Sequence, residues 1–432
     1  MIQFSKHILS NGLRVIVHED HSLPTAVLNI LYDVGARDEN PEKTGFAHLF
    51  EHLMFGGSIN IPVFDEPLQR VGGVNNAFTS NDITNYYDQL PSNNIETAFW
   101  LESDRMLSLA FSEKSLDVQR NVVMEEFKQR YLNQPYGDTQ LKLRPLVFKT
   151  HPYRWSTIGK ELAHIEQAEI GDVKAFFKKH YNPLNAIMVI AGDINTQNML
   201  VMAEKWFGSI PSGEKYNRHL PVEALQSEPR QETVHADVPL DAIYMAYRVV
   251  ARLDPDYYAT ELLTDILSQG NSSRLYVELV KNKNLFSEIH AWMSQDLDPG
   301  MLIVEGKIRT GVSVAQAEAA VKAELQKLVL EKPAEKELTK VKNKLESSMV
   351  FSELNLLDRA INLAYFELIG DASLVNKQLE KYLEVTPEKI QQTAASIFSD
   401  KQCSVLYYLK NQLEVSDTGQ ILDAPQNDVV NV

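Results

Sequence analysis

Apolar residues recur along the chain in two periods, about 2 and about 3.6, and the switches between them mark its elements. Residues 3–18 (QFSKHILSNGLRVIVH) place two β-prone runs on either side of Ser10-Asn11-Gly12, a strong turn signal, and predict a hairpin. Residues 25–34 (TAVLNILYDV) predict another strand, and 35–43 a polar loop. From Thr44 to Gly57 the letters TGFAHLFEHLMFGG keep helical spacing, contain no proline and stop at Gly56-Gly57, which predicts a helix. A second helix over Val63 to Val71 is broken by Gly72-Gly73. The run VNNAFTSNDITNYYDQL that follows reads as two strands from its Thr, Tyr and Phe content. Helical patterns occupy 95–110 and 112–131. Cys403 to Leu409 is the last strand pattern, and 411–432 reads as a frayed tail.

Composition narrows the class. Hydrophobic residues make up 44% and charged residues 23%, as in a folded globular protein. At 432 residues the chain exceeds one ordinary core, so two or more domains are expected. The net charge of −16, with no basic patch or tail in the letters, disfavours nucleic acid and anionic membranes as partners. Cys403 is the single cysteine, so no internal disulfide can form. No apolar run is long enough to span a bilayer or to serve as a signal peptide. A chain that starts here is expected to be cytoplasmic, and a chain from which a signal peptide has been removed periplasmic.

The clearest chemistry lies in 44–57. His48 and His52 are four apart, so on a helix they project one above the other from one face, with Glu51 nearly in line. Phe46, Leu49, Phe50 and Leu53 cover the sides that pack. Two imidazoles so placed can hold one zinc ion, and the carboxylate beside them can take a proton from a water that the ion activates. His48-Leu-Phe-Glu51-His52 inverts the His-Glu-x-x-His peptidase helix, giving the inverted-zincin order. Histidines four apart also occur on ordinary helices, so these five residues leave both readings open.

A catalytic zinc needs a third protein ligand. The helix over 112–131 offers two glutamates. Glu126 shares its face with Val122 and Val123, which turns that face inward. Glu125 neighbours Asn121, Lys128 and Gln129, the composition of a solvated face. Glu126 is therefore the candidate. A carboxylate on an apolar face is costly unless paired or coordinated, so a metal, an arginine or an amide would each explain it.

Glu126 follows His52 by 74 positions, inside Arg120-Asn-Val-Val-Met-Glu-Glu126-Phe. That wording and spacing resemble the inverted zinc peptidase family of pitrilysin, insulin-degrading enzyme and mitochondrial processing peptidase. The likeness continues in order. Gly73-Val-Asn-Asn76-Ala77-Phe78-Thr79-Ser80 with Thr84-Asn-Tyr86-Tyr87 resembles the family's substrate-binding edge strand. His151-Pro-Tyr153 with Gly159 resembles its next loop, and Tyr181-Asn-Pro-Leu-Asn185 leading to Gly192-Asp193 the last strand of its catalytic domain.

The resemblance implies an α+β fold of two homologous domains, each a mostly antiparallel sheet packed with helices, together half of a clamshell. It implies a catalytic domain over 1–210, a linker over 211–229 and a homologous domain without zinc over 230–432. The segment 211–229 (PSGEKYNRHLPVEALQSEP) is polar, carries three prolines and lacks periodicity, as a linker should. Val234 to Val249, Tyr257 to Ser268 and Glu337 to Leu356 repeat the element order of the first half, without its histidines. The resemblance further implies a Zn2+ cofactor on His48, His52 and Glu126, with Glu51 as general base. An extended peptide substrate would bind along Asn76, Ala77, Phe78 and Thr79. Phe78 could line a side-chain pocket or belong to the core.

Two departures matter. Gln119 stands seven positions before Glu126, where relatives often have a further glutamate; it could still hydrogen-bond near the ligands but supplies no charge. Val280 and Ser287 stand where the family's other half has an arginine and a tyrosine that contact the substrate carbonyl, and neither replaces them. Arg274 and Tyr276 nearby read as structural. The expected protein is a zinc endopeptidase subunit acting on peptides or unfolded segments. It would pair with a homologous zinc-free subunit, or with itself. The alternative is a non-catalytic peptide-binding or scaffold subunit of the same fold.

Overall fold

The computed structural model describes residues 1–411. All but the first residue of the tail expected over 411–432 lies outside the described residues. Strands β1 (Ser5–Ile8), β2 (Arg14–Glu19) and β3 (Thr25–Tyr32) come first, followed by helix α1 (Phe46–Phe55). Next are β4 (Val74–Thr79), β5 (Thr84–Pro91), α2 (Ile95–Leu107), α3 (Glu113–Phe127), α4 (Thr139–Val147) and β6 (Ala186–Gly192). These strands form one sheet in the order β1-β2-β6-β3-β5-β4. The β2–β6 pair is parallel and the other pairs are antiparallel. Burial follows position in the sheet. β3 (TAVLNILY) and β6 (AIMVIAG) are central and almost wholly buried, whereas the edge strand β4 (VNNAFT) alternates exposed and half-buried residues.

The second half repeats this plan. Its elements are β7 (Arg230–Ala236), β8 (Ala242–Arg248), α5 (Tyr257–Ser268), β9 (Phe286–Met293), β10 (Met301–Ile308), α6 (Val314–Leu330), α7 (Glu335–Ser352), α8 (Leu356–Leu368) and β11 (Cys403–Lys410). The order β7-β11-β8-β10-β9 reproduces β2-β6-β3-β5-β4, including the parallel pair, here β7–β11.

The two halves exchange helices. α8 comes from the second half, yet its Ala360, Leu363 and Ala364 pack on Val27, Leu31 and Val189 of the first sheet. α4 comes from the first half, yet Leu143 and Leu146 pack on Tyr244, Ala246 and Ile303 of the second sheet. Each sheet would otherwise leave an apolar face in water. At the β4–β5 turn, Asp82 pairs with Arg37 at 3.0 Å and accepts a hydrogen bond from the Leu297 amide at 2.8 Å, tying that turn to the second half.

Local differences from the sequence pattern have physical causes. The long helix expected over 112–131 is α3, opened by a reciprocal Ser112–Ser115 cap, followed by a π turn at Lys128–Leu132. The segment 211–229 has no helix or strand but is strapped down rather than loose. Arg218 pairs with Asp33 at 2.8 Å and Asp38 at 2.7 Å, and Glu223 accepts from the amides of Lys149, Thr150 and His151. Among the described residues no helix is long and apolar enough to cross a membrane.

Candidate metal and catalytic site

The site begins with how α1 starts. Gly45 has φ +87°, and a Cβ there would lie 2.7 Å from the Ile158 carbonyl oxygen, so only glycine fits. The buried Glu39 carboxylate accepts from the amides of Gly45 at 2.9 Å and Ala47 at 2.8 Å, satisfying donors that a helix start leaves free. Burial pushes the Glu39 carboxyl up to about 8, against those two hydrogen bonds. Phe46, Ala47, Leu49, Phe50, Leu53 and Met54 are buried, which leaves His48, Glu51 and His52 on the open side of the helix.

α3 crosses that open side and delivers Glu126. Its Oε2 lies 3.6 Å from His48 Nε2 and 3.3 Å from His52 Nε2. The three ligand-type atoms all fall within 4.8 Å of one another. Two donors each about 2.0–2.1 Å from a tetrahedral zinc stand about 3.3 Å apart, and two imidazole nitrogens with a carboxylate oxygen are a zinc donor set. The residues fit the ion. Burial, and then the neighbouring His52, lowers the His48 imidazole to about 4, so it is neutral and free to donate a lone pair. The hydrogen bond with His52 holds the Glu126 carboxyl below its usual range, although burial opposes it.

The other carboxylate oxygen of Glu126 is engaged separately, by Arg130 Nη1 at 2.9 Å. Of the three explanations that the sequence left open for this glutamate, an arginine and a metal thus have geometry, one per oxygen. Glu125 points away, pairs with Lys128 at 2.8 Å and is 61% exposed. The apolar face that singled out Glu126 is only half buried. Val123 is inside, whereas Val122 is 44% exposed, so Glu126 stands at the margin of the core.

Glu51 is half-buried beside the imidazoles. Its Oε2 accepts from the Thr79 hydroxyl at 2.6 Å. Burial raises its carboxyl above the usual range, and the Thr79 hydrogen bond works the other way. Thr79 was expected only as part of the peptide-binding edge. β4 is an edge strand, its outer side unpaired beyond the β5 ladder. Asn76 turns its side-chain oxygen to the Ala77 amide, and Ala77 packs toward the core of α1. Phe78 is 37% exposed and lines a cavity instead of the core.

Gln119 is half-buried, but no hydrogen bond among the described residues joins it to Glu126 or the imidazoles. Arg130 holds Glu126 in its place, and its position four residues later was a signal open to a reader of helical spacing. In the second half, Val280 packs against the core, and the Ser287 hydroxyl donates to the Lys307 carbonyl at 3.1 Å. Arg274 is spent on a two-point pair with Glu337, both contacts 2.8 Å.

Comparison with known proteins places the chain among relatives. Residues 14–143 match the family model described as Insulinase (Peptidase family M16), and residues 168–345 the Peptidase M16 inactive domain. The zinc protease PqqE of Helicobacter pylori is 30% identical over 407 residues, covering 92% of this chain and 91% of that protein. The uncharacterized zinc protease YmxG of Bacillus subtilis is 24% identical over 408 residues, covering 91% and 96%. A probable mitochondrial-processing peptidase subunit beta of Arabidopsis thaliana is 24% identical over 275 residues, covering 61% and 50%. Among solved structures, a protease from Helicobacter pylori superposes with TM-score 0.88 at 28% identity, covering 94% of this chain and 100% of that one. Pitrilysin superposes with TM-score 0.76 at 17% identity, a likeness of fold covering 94% of this chain and 45% of that one.

Proposed function

This chain belongs to peptidase family M16, and on that premise we propose that it is a zinc-dependent endopeptidase subunit acting on peptides or unfolded segments. The observation that carries the reading is the convergence of His48, His52 and Glu126 beside a Glu51 held by Thr79. When bound, zinc supplies a Lewis acid that polarises the scissile carbonyl and lowers the pKa of a water. His48, His52 and Glu126 are the residues that would hold it. Thr79 donates to Oε2 of Glu51 and fixes the carboxylate, which leaves Oε1 to take a proton from the attacking water and return it to the leaving amine. The open edge of β4 binds the substrate as an added strand through backbone groups, which suits many sequences.

The division into a catalytic unit over 1–210, a connecting strap over 211–229 and a zinc-free unit from 230 onward is part of the same proposal. So is assembly. Val280 and Ser287 offer the substrate carbonyl no cationic donor, so a homologous zinc-free partner is the preferred second subunit and a homodimer the other outcome. That shortfall also favours a second reading, a non-catalytic peptide-binding subunit, but all four residues of the zinc site are present.

Zinc content, together with hydrolysis of a quenched peptide before and after chelation, tests the proposal. About one zinc per chain and chelator-sensitive hydrolysis are expected. Glu51→Gln should keep the zinc and lose hydrolysis by about a thousandfold, since the base goes and the ligands stay. Wild-type turnover by Glu51→Gln would exclude the mechanism. Zinc binding without hydrolysis, alone or with the zinc-free homologue from the same source, would favour the non-catalytic reading.

A further inference from the structure

At the β4–β5 turn the halves meet through charged groups held almost out of water. The first half supplies Arg37, Asp82, His151 and Tyr153, and the β9–β10 connection over 294–300 supplies Asp296 and Asp298 from the second. Asp82 is 5% exposed, Arg37 4% and Asp296 8%. The Asp82 carboxylate accepts from the Tyr153 hydroxyl at 2.5 Å and the Leu297 backbone amide at 2.8 Å, and pairs with Arg37 at 3.0 Å. Arg37 also pairs with Asp298 at 2.9 Å, which His151 approaches to 3.5 Å. The Asn81 side-chain amide donates to Asp296 at 2.6 Å, and the Asp298 backbone amide donates to the Tyr153 hydroxyl at 3.0 Å.

The charges in this contact do not balance. Three carboxylates, Asp82, Asp296 and Asp298, gather around the one guanidinium of Arg37. Arg218, which faces Arg37 from 211–229, is committed to Asp33 and Asp38. Tyr365 of α8 and Arg252 border the same cavity as Asp82 and Asp296, and Arg252 donates to Gln378 at 2.7 Å. Burial raises the Asp82 carboxyl to about 6; Arg37 opposes the rise and the Asp296 charge adds to it. His151 above all, with Arg37 helping, holds the Asp298 carboxyl below its usual range, so Arg37 keeps a charged partner when Asp82 is neutral. The excess is not a metal site. Among the described residues only His48, His52 and Glu126 bring three ligand-type atoms within 4.8 Å of one another.

We infer that this contact is a proton-operated latch between the halves: one proton taken up by Asp82 removes its repulsion with Asp296 and tightens the hold of 294–300 on the β4–β5 turn. A neutral Asp82 still accepts from Tyr153 and Leu297, so the hydrogen bonds across the contact survive. A carboxyl raised in the folded protein costs stability above its folded value, and the cost disappears as pH falls through that value toward the unfolded one near 4. The latch should therefore close on mild acidification. It lies three residues beyond Thr79, at the end of the strand that meets Glu51, but it requires neither zinc nor hydrolysis.

Urea unfolding of the full chain at pH 7.5 and pH 5 tests it, with Asp82→Asn as the permanently neutral form. Between those pH values the wild-type folding equilibrium should gain about tenfold over that of Asp82→Asn, as a folded value near 6 against an unfolded value near 4 requires. Comparing the changes with pH, instead of the midpoints themselves, cancels what the two proteins share, the zinc-site histidines included. The gain must also be seated at the contact. Hydrogen exchange of the Leu297 and Asp298 amides, corrected for the intrinsic rate at each pH, should slow by about the same factor in wild type and stay level in Asp82→Asn. If Asp82→Asn does not fold, Asp296→Asn replaces it and should shrink both gains. Parallel pH dependence in wild type and variant, or a wild type that loses ground on acidification, would leave Asp82 a fixed partner of Arg37 and overturn the latch. Exchange at 297–298 that does not slow at pH 5 would overturn it as well, by placing the proton's effect elsewhere. Neither readout involves hydrolysis, so failure here leaves the peptidase reading standing.

Discussion

The two halves are built to one plan, and only one of them carries the proposed chemistry. Both run from strands, β1 to β3 or β7 and β8, into a helix, α1 or α5, then to an edge strand, β4 or β9, and through two more helices to one that crosses to the other half. On α5, Thr260 and Thr264 are buried and donate to the carbonyls of Asp256 and Thr260, and Glu261 accepts from Gln295 and Tyr382. On α1, His48, Glu51 and His52 are half-buried, and among the described residues their side chains pair with Glu126 and Thr79. The helices that follow differ in the same way. α3 aims Glu126 at the imidazoles, whereas α7 uses Glu337 to hold Arg274. The architecture tolerates either use, and a few side chains on a half-open face decide which half can bind an ion.

That contrast can be broken most directly at the glutamates. Glu126→Gln should lower zinc affinity by more than about a hundredfold, because outer-shell partners alone are worth up to about that much. Glu125→Gln and Glu337→Gln should leave it nearly unchanged. A chelator competition giving equal losses for Glu126 and either of the others would end the distinction between the halves.

The next largest effect concerns their mutual dependence. Leu363 on α8 and Leu143 on α4 are fully buried, each against the sheet of the opposite half. Alanine at either position should cost about 2–5 kcal/mol through lost burial and the cavity left behind. Denaturant unfolding should remain one transition in both variants. Two separated transitions would mean that the halves fold independently despite the exchange.

A smaller effect is expected at Arg130. It braces the Glu126 oxygen that faces away from the imidazoles, so Arg130→Gln should weaken zinc binding by about tenfold, and Arg130→Lys by less. An unchanged zinc affinity would reduce the pair to a surface contact.

The smallest lies where α8 docks. The Ser22 hydroxyl first, with Arg359 of α8 adding to it, holds the Asp20 carboxyl down to about 2. An acid whose folded value is depressed contributes stability above its unfolded value near 4 and loses it as pH falls toward 2. The pair is partly exposed, so the contribution is under about 1 kcal/mol. Urea midpoints at pH 5 and pH 3 should converge between wild type and Arg359→Met on acidification. A constant gap would assign Arg359 a packing role only.

Much of this was legible in the letters because it depends on local geometry. Helical period alone stacks His48 over His52 and separates Glu126 from Glu125, and the Ser10-Asn11-Gly12 turn closes its hairpin as a Leu9 to Leu13 bond. Glu126 lies beside the imidazoles although its apolar face is only half inside, with Val122 exposed and Val123 buried. The repeat was visible as an order of elements, but the order could not reveal that α4 and α8 change places. That exchange depends on which apolar face each sheet leaves uncovered once it has formed. The same holds for 211–229, whose composition reads as a free linker until Asp33, Asp38 and three loop amides are brought within reach of Arg218 and Glu223. Glu51 and Thr79 are 28 residues apart and meet only because the register of β4 on β5 turns Thr79 toward α1. Residue types and their local phase were determined by the sequence alone. Which distant groups share a face was decided by strand register and by the packing of one half on the other, and no short-range pattern encodes either.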